Sequence, residues 1–121
     1  LQVAVDFLRA KGYKKLAIVS HSMGSRATHS YLSTHPDAPI AAWVAIGMGS
    51  ADSYAAMKMP VLDMYGANDL PQVLNGARQR AKSLKGKANS RQVVVPHADH
   101  FFNDRDVELV QNVQRYLDKA L

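Results

Sequence analysis

The chain has no cysteine among its 121 residues. Disulfides, thiolate zinc sites and a cysteine nucleophile are therefore excluded. That absence suits a cytoplasmic and a periplasmic protein equally. Long apolar runs are missing as well, and none approaches the ~20 residues that a membrane span needs. Aromatics are sparse, with one tryptophan and three phenylalanines. Acids are outnumbered ten to fifteen by lysine and arginine, for a formal net charge of +5.

Much of the basic excess lies in one stretch: Arg78, Arg80, Lys82, Lys85, Lys87 and Arg91. A basic face invites an anionic partner or nucleic acid. No aromatic residues interleave with these charges, so a base-stacking platform is not expected. Arg78, Lys82 and Lys85 share a helical face, which reads as solvated.

With 47% hydrophobic and 21% charged residues, the composition is that of a soluble globular chain. The length fits one domain over 1–121. No repeat or low-complexity segment interrupts it. Leu1, Ala4, Val5 and Leu8 are spaced as one face of a helix. "KLAIVS" (15–20), "AAWVAI" (41–46), "PVLDMY" (60–65) and "RQVVVP" (91–96) read as strands. A helix is expected from about Met23 to before Pro36, and another over 72–85. "DSYAAMKM" (52–59) predicts a short helix. Val107, Val110, Val113, Leu117 and Ala120 form the stripe of a last helix, with Asn103 or Asp104 as its cap. The strands are continuous apolar runs, as in parallel sheets buried on both faces. The expected fold is α/β: a parallel sheet of about four strands with helices on both faces.

Ligands of open parallel sheets bind at the carboxyl ends of the strands. Ser22 follows the first strand, Asp69 the third, and His97, Asp99 and His100 the fourth. Gly47, Met48 and Gly49 follow the second and carry no strong chemistry. If the strands are adjacent in chain order, the fourth lies about 14 Å from the first. The five residues from Val95 to His100 can reach about 16–18 Å. His100 can thus return to Ser22 as its base, with Asp69 placed to orient the imidazole. The Met23 backbone N–H would face a developing oxyanion. Ser20 and Gly24 are small residues that would let a tight turn close around Ser22. Asp63 competes with Asp69 as the acid, and His97 competes with His100 as the base. His21 is expected to pack beside the turn, and no chemistry is assigned to His29 or His35. "HADH" (97–100) is too incomplete a ligand set to predict a metal.

"SHSMG" at 20–24, "GAND" at 66–69 and "ADHFF" at 98–102, in this succession, resemble the C-terminal half of an α/β-hydrolase. Within that superfamily the chain is most similar to a bacterial branch known only as hydrolase-like. The resemblance spans essentially the whole chain. It implies a triad of Ser22, Asp69 and His100, with Met23 in the oxyanion hole. The histidine of the pattern stands directly before the bulky pair, which selects His100 over His97. The implied activity is serine hydrolysis of a carboxylic ester or thioester through an acyl-enzyme. Such chemistry needs no cofactor and no metal, and takes a small acyl substrate. The alternative is a non-catalytic interaction module that keeps the turn without a complete oxyanion hole.

Two departures from the pattern matter. The first glycine of Gly-x-Ser-x-Gly is Ser20 here. The early strands and the loop that gives the second oxyanion donor would precede Leu1, so residues upstream are expected to be missing and the fold to be partial. The first strand would then be an apolar edge open to self-association. The segment 47–59 is too short for a lid, so an open site is expected. Met48, Met57, Met59, Phe101 and Phe102 read as ordinary core first and as an apolar cleft second.

Overall fold

A computed structural model describes all residues, 1–121. In chain order it comprises α1 (Gln2–Ala10), β1 (Leu16–His21), α2 (Met23–Thr34), β2 (Ile40–Ile46), β3 (Val61–Gly66), α3 (Pro71–Ser83), β4 (Arg91–Val95) and α4 (Asp106–Ala120). The four strands form one sheet in the order β1-β2-β3-β4, and every pair is parallel. All four carboxyl ends therefore lie on one edge. The architecture is the α/β sandwich that the apolar runs imply.

Side chains alternate across the central strands, as the two-residue period of a strand requires. Trp43, Ala45 and Val61 face one layer with Val5, Leu32 and Leu84. That layer also takes Met48, Tyr54, Met57 and Met59 from the segment between β2 and β3. Ala42, Val44, Ile46, Leu62 and Met64 face the other side, where Phe102 and Tyr116 cover them. Helices therefore lie on both faces, with α2 and α3 on the first and α4 on the second. Met48, Met57, Met59 and Phe102 are core, and Phe101 stands out in solvent.

Three local expectations are corrected. Residues 52–59 form no helix. The segment makes a single turn, with the Met57 N–H donating to Tyr54 O, Pro60 follows it, and a long-range bond ties it down: the Tyr54 N–H donates to Ser83 Oγ at 2.9 Å. Neither Asn103 nor Asp104 caps α4, whose N-cap is Arg105 without a side-chain bond; Asn103 instead donates to Asp99. Arg78, Lys82 and Lys85 are exposed, whereas Arg80 of the same stretch is fully buried against Asp63. The α4 stripe is only partly used. Val113, Leu117 and Ala120 pack on the sheet with Leu109, while Val107 and Val110 are exposed.

β1 stands at a sheet edge. Its outward-facing Val19 borders an apolar groove whose other wall is Leu109, Val110, Val113 and Leu117 of α4. No helix is long and apolar enough to cross a membrane.

Candidate active site

Ser22 follows the last residue of β1 and precedes α2 directly. Its backbone is left-handed, with φ 58° and ψ −121°, a conformation that costs a non-glycine residue about 1–3 kcal/mol. The surroundings impose it. The Ser22 N–H donates to Ile46 O at the end of β2, and Ser22 O accepts the N–H groups of Ser25 and Arg26 in α2. The residue is thus bonded to a strand on one side and a helix on the other. It occupies the N-cap position, yet its hydroxyl caps nothing. Instead it lies 2.8 Å from His100 Nε2.

His100 Nδ1 lies 2.6 Å from Asp69 Oδ1. An ionised carboxylate can only accept, so Nδ1 carries the proton and Nε2 is left to accept from the Ser22 hydroxyl. Asp69 is fixed on every side. Oδ1 also accepts the Leu70 N–H at 2.8 Å, and Oδ2 accepts the Gly66 N–H at 3.2 Å. Asp69 and His100 are each only 6% exposed.

The loop after β4 brings His100 back across the sheet edge. Asn68 N–H donates to Ala98 O, and Ala67 N–H to Val95 O, which ties this loop to the turn after β3. The approach is close enough that a Cβ on Gly66 would lie 2.2 Å from Ala98 O. Beyond His100, Asp99 gathers the loop by accepting the Phe101 and Asn103 N–H groups and Asn103 Nδ2. The Asn103 bonds foremost hold the Asp99 carboxyl below its ordinary range. A depressed folded-state value stabilises the loop above the ordinary carboxylate pKa, and the contribution is lost as pH falls through the folded value.

Two neighbours hold the imidazole from the β1 and β2 sides. His21 Nε2 donates to His100 O at 2.7 Å, and the two rings stand 4.8 Å apart. Gly47, with φ +61°, leaves the space in which the ring sits: a Cβ there would lie 3.0 Å from His100 Cε1. Gly47→Ala is therefore expected to displace the imidazole from Ser22 while the sheet stays folded. A loss of reaction at Ser22 of about a hundredfold is expected, since small misplacements cost that much; the reaction rate and far-ultraviolet circular dichroism together check it. An unchanged rate would contradict this packing.

Under the turn, Ser20 does more than stay small. Trp43 Nε1 donates to Ser20 Oγ at 2.9 Å, Ser20 and Ser25 hydroxyls lie 3.0 Å apart, and Ser25 donates to Ile46 O at 2.9 Å. This hydroxyl chain fastens β1, α2 and β2 together beneath Ser22. Gly24 is a correction. A Cβ there would meet nothing within 4 Å, so close packing does not require its smallness. Met23 is the first residue of α2, where a helical N–H has no intrahelical acceptor, and no other backbone bond uses it.

The competing residues lie elsewhere. Asp63 is buried in a separate cluster, with Arg80 Nε at 3.0 Å, Tyr54 Oη at 2.5 Å and Gln92 Nε2 at 2.9 Å. His97 is exposed, in a left-handed conformation. His29 donates to Ser53 O. No group of three His, Cys, Asp or Glu side chains is placed to hold a metal ion. Sequence reasoning passed over Gly47, Gly66 and Arg80. A glycine directly after each of two apolar strands was the signal available for the first two; only the unpartnered Asp63 hinted at Arg80.

Ser22 and His100 open onto a cleft of about 110 Å³ that Met23, Arg26, Gly47, Gln72 and Val73 help to line. No family model matches the chain, and no curated protein matches it significantly. Among solved structures, it is similar to a predicted CIB-like hydrolase from Thermoplasma acidophilum, with a TM-score of 0.75 and 19% identity. The match covers 96% of this chain and 56% of that one. The chain thus spans little more than half the length of this neighbour, and the likeness is one of fold.

Proposed function

We propose that the chain is a serine hydrolase that cleaves a carboxylic ester or thioester at Ser22. The observation that carries this reading is the unbroken hydrogen-bond series from Asp69 through His100 to Ser22. A serine held in a left-handed turn at a strand's carboxyl end, the arrangement of the nucleophile elbow, supports it. So does a fold neighbour described as a hydrolase.

In the first step Ser22 Oγ attacks the substrate carbonyl carbon, and its proton passes to His100 Nε2. Asp69 keeps Nδ1 protonated and stabilises the imidazolium. The negative charge that develops on the carbonyl oxygen is met by the Met23 N–H and the α2 N-terminus; one such donor contributes about 3–4 kcal/mol. Collapse expels the alcohol or thiol, which takes the proton from Nε2. Water then repeats the sequence: it gives a proton to Nε2, attacks the acyl carbon, and Ser22 leaves with that proton. No cofactor enters the balance.

Release of nitrophenolate from p-nitrophenyl acetate tests the reading. The wild-type chain is expected to release it faster than Ser22→Ala, with the difference lost when His100 is also replaced. Equal rates for wild type and Ser22→Ala would contradict it.

A further inference from the structure

The small cleft that holds Ser22 and His100 adjoins a wider one of about 380 Å³, lined by Met23, Arg26, Ala27, His29, Ser30 and Asp52. Arg26 and Met23 belong to both walls. Arg26 is one helical turn beyond Ser22, and its backbone N–H already binds Ser22 O. Its guanidinium makes no ion pair; the ion pairs are Lys58–Asp37 and Arg80–Asp63, and Asp69 bonds the His100 imidazole. It makes no side-chain hydrogen bond either.

No acid within helical reach compensates it, because the residues three and four along α2 are His29 and Ser30. Asp69 is committed to His100 and two backbone N–H groups. Asp52, on the far side of the wider cleft, accepts from Ser50 and lies beyond ion-pair distance of Arg26. Arg26 is thus the one permanently charged side chain lining the small cleft, and it is uncompensated.

From this placement we infer that the substrate carries a carboxylate or phosphate on its leaving-group side, received by Arg26. The inference rests on the reading of Ser22 as nucleophile. The sizes of the two clefts favour the leaving-group half as the charged one. The cleft at Ser22, about 110 Å³, is the narrower of the two and the one beyond Arg26, about 380 Å³, the wider. The narrower one therefore takes a short acyl group, and the remainder extends past Arg26 into the wider cleft. A guanidinium presents a planar fork that matches a carboxylate or a phosphate, and the nearby α2 N-terminus favours the same sign of charge.

The test is binding rather than turnover, so it is independent of catalysis. Ser22→Ala is titrated with three esters that share an acetyl group: 4-acetoxybenzoate, 4-acetoxyphenyl phosphate and the neutral methyl 4-acetoxybenzoate. Amide shifts in 22–27 and 47–49 report the site. At least one anionic ester is expected to bind about tenfold more tightly than the neutral one, the size of a charge-assisted hydrogen bond. The arm that does so distinguishes carboxylate from phosphate. In the double variant Ser22→Ala/Arg26→Gln the preference should fall to within about twofold; since Arg26 is exposed, this change leaves the fold intact. A preference that survives Arg26→Gln, no preference in Ser22→Ala, or no binding of any ester would each overturn the inference. Failure of the nucleophile reading is seen separately, as nitrophenolate release that does not depend on Ser22.

Discussion

Asp69→Asn is expected to slow reaction at Ser22 by about 10⁴-fold, the cost of a wrong imidazole tautomer in a triad. The bonds around Asp69 say why. Oδ1 accepts from His100 Nδ1 and Leu70 N–H, and Oδ2 accepts from Gly66 N–H. All three partners are donors, and an amide offers an acceptor at only one end. If its NH₂ replaces Oδ2, it faces the Gly66 N–H donor to donor. If it replaces Oδ1, His100 Nδ1 must give up its proton to accept, and Nε2 then carries the proton. In that state Nε2 cannot take the proton of Ser22. The rate of acylation, measured with folding checked by circular dichroism, decides the matter. A loss below tenfold would mean that Asp69 does not set the tautomer. Asp99→Asn, at the residue before His100, offers a contrast: it weakens the acceptor of three loop bonds without replacing any partner of the ring.

The largest expected loss of stability comes from the buried cluster around Asp63 of β3. Arg80→Ala should destabilise the fold by about 3–5 kcal/mol, because it leaves the Asp63 carboxylate buried without its cation. Arg80 and Asp63 are both fully buried, and Arg80 Nε bonds both carboxylate oxygens at 3.0 and 3.2 Å. Tyr54 and Gln92 complete the shell around Asp63. Burial first, then the carboxylate beside it, drives the Tyr54 hydroxyl far above its ordinary pKa, so it stays a donor. The cluster also reaches the site. Arg80 Nη1 donates to Ser50 O at 2.7 Å and Val73 O at 3.0 Å, and so holds together two segments beside the cleft. Urea unfolding with and without the substitution measures the effect; a change under about 1 kcal/mol, the range of an exposed pair, would contradict a buried role.

Parts of this architecture are legible before any coordinates. The parallel sheet is written in apolar runs such as Ile40–Ile46, in which both faces are buried and no polar alternation is needed. The order serine, aspartate, histidine at the ends of the first, third and fourth strands is visible because parallel strands place their carboxyl ends on one edge. What cannot be read depends on contacts distant in sequence. Residues 52–59 have helix-like composition, yet Ser83 and Asp63 claim Tyr54 from 29 and 9 residues away. Arg80 sits in a run of bases on helical spacing, and only the position of Asp63 across the layer explains why it alone is buried. Gly47 looks like a loop residue until the His100 ring is seen against it. Gly24 shows the opposite error: a motif position assigned a packing role that the surrounding space does not require.

The hydroxyl of Ser22 bonds His100 rather than capping the helix, and under the proposed function it is the nucleophile. The most direct test of that account is labelling with a fluorophosphonate, which adds only to an activated serine, followed by peptide mapping of the adduct. The account predicts a single adduct on Ser22, absent in Ser22→Ala and strongly slowed in His100→Gln. A folded protein that takes up no label, or an adduct mapped to another of its serines, would contradict it.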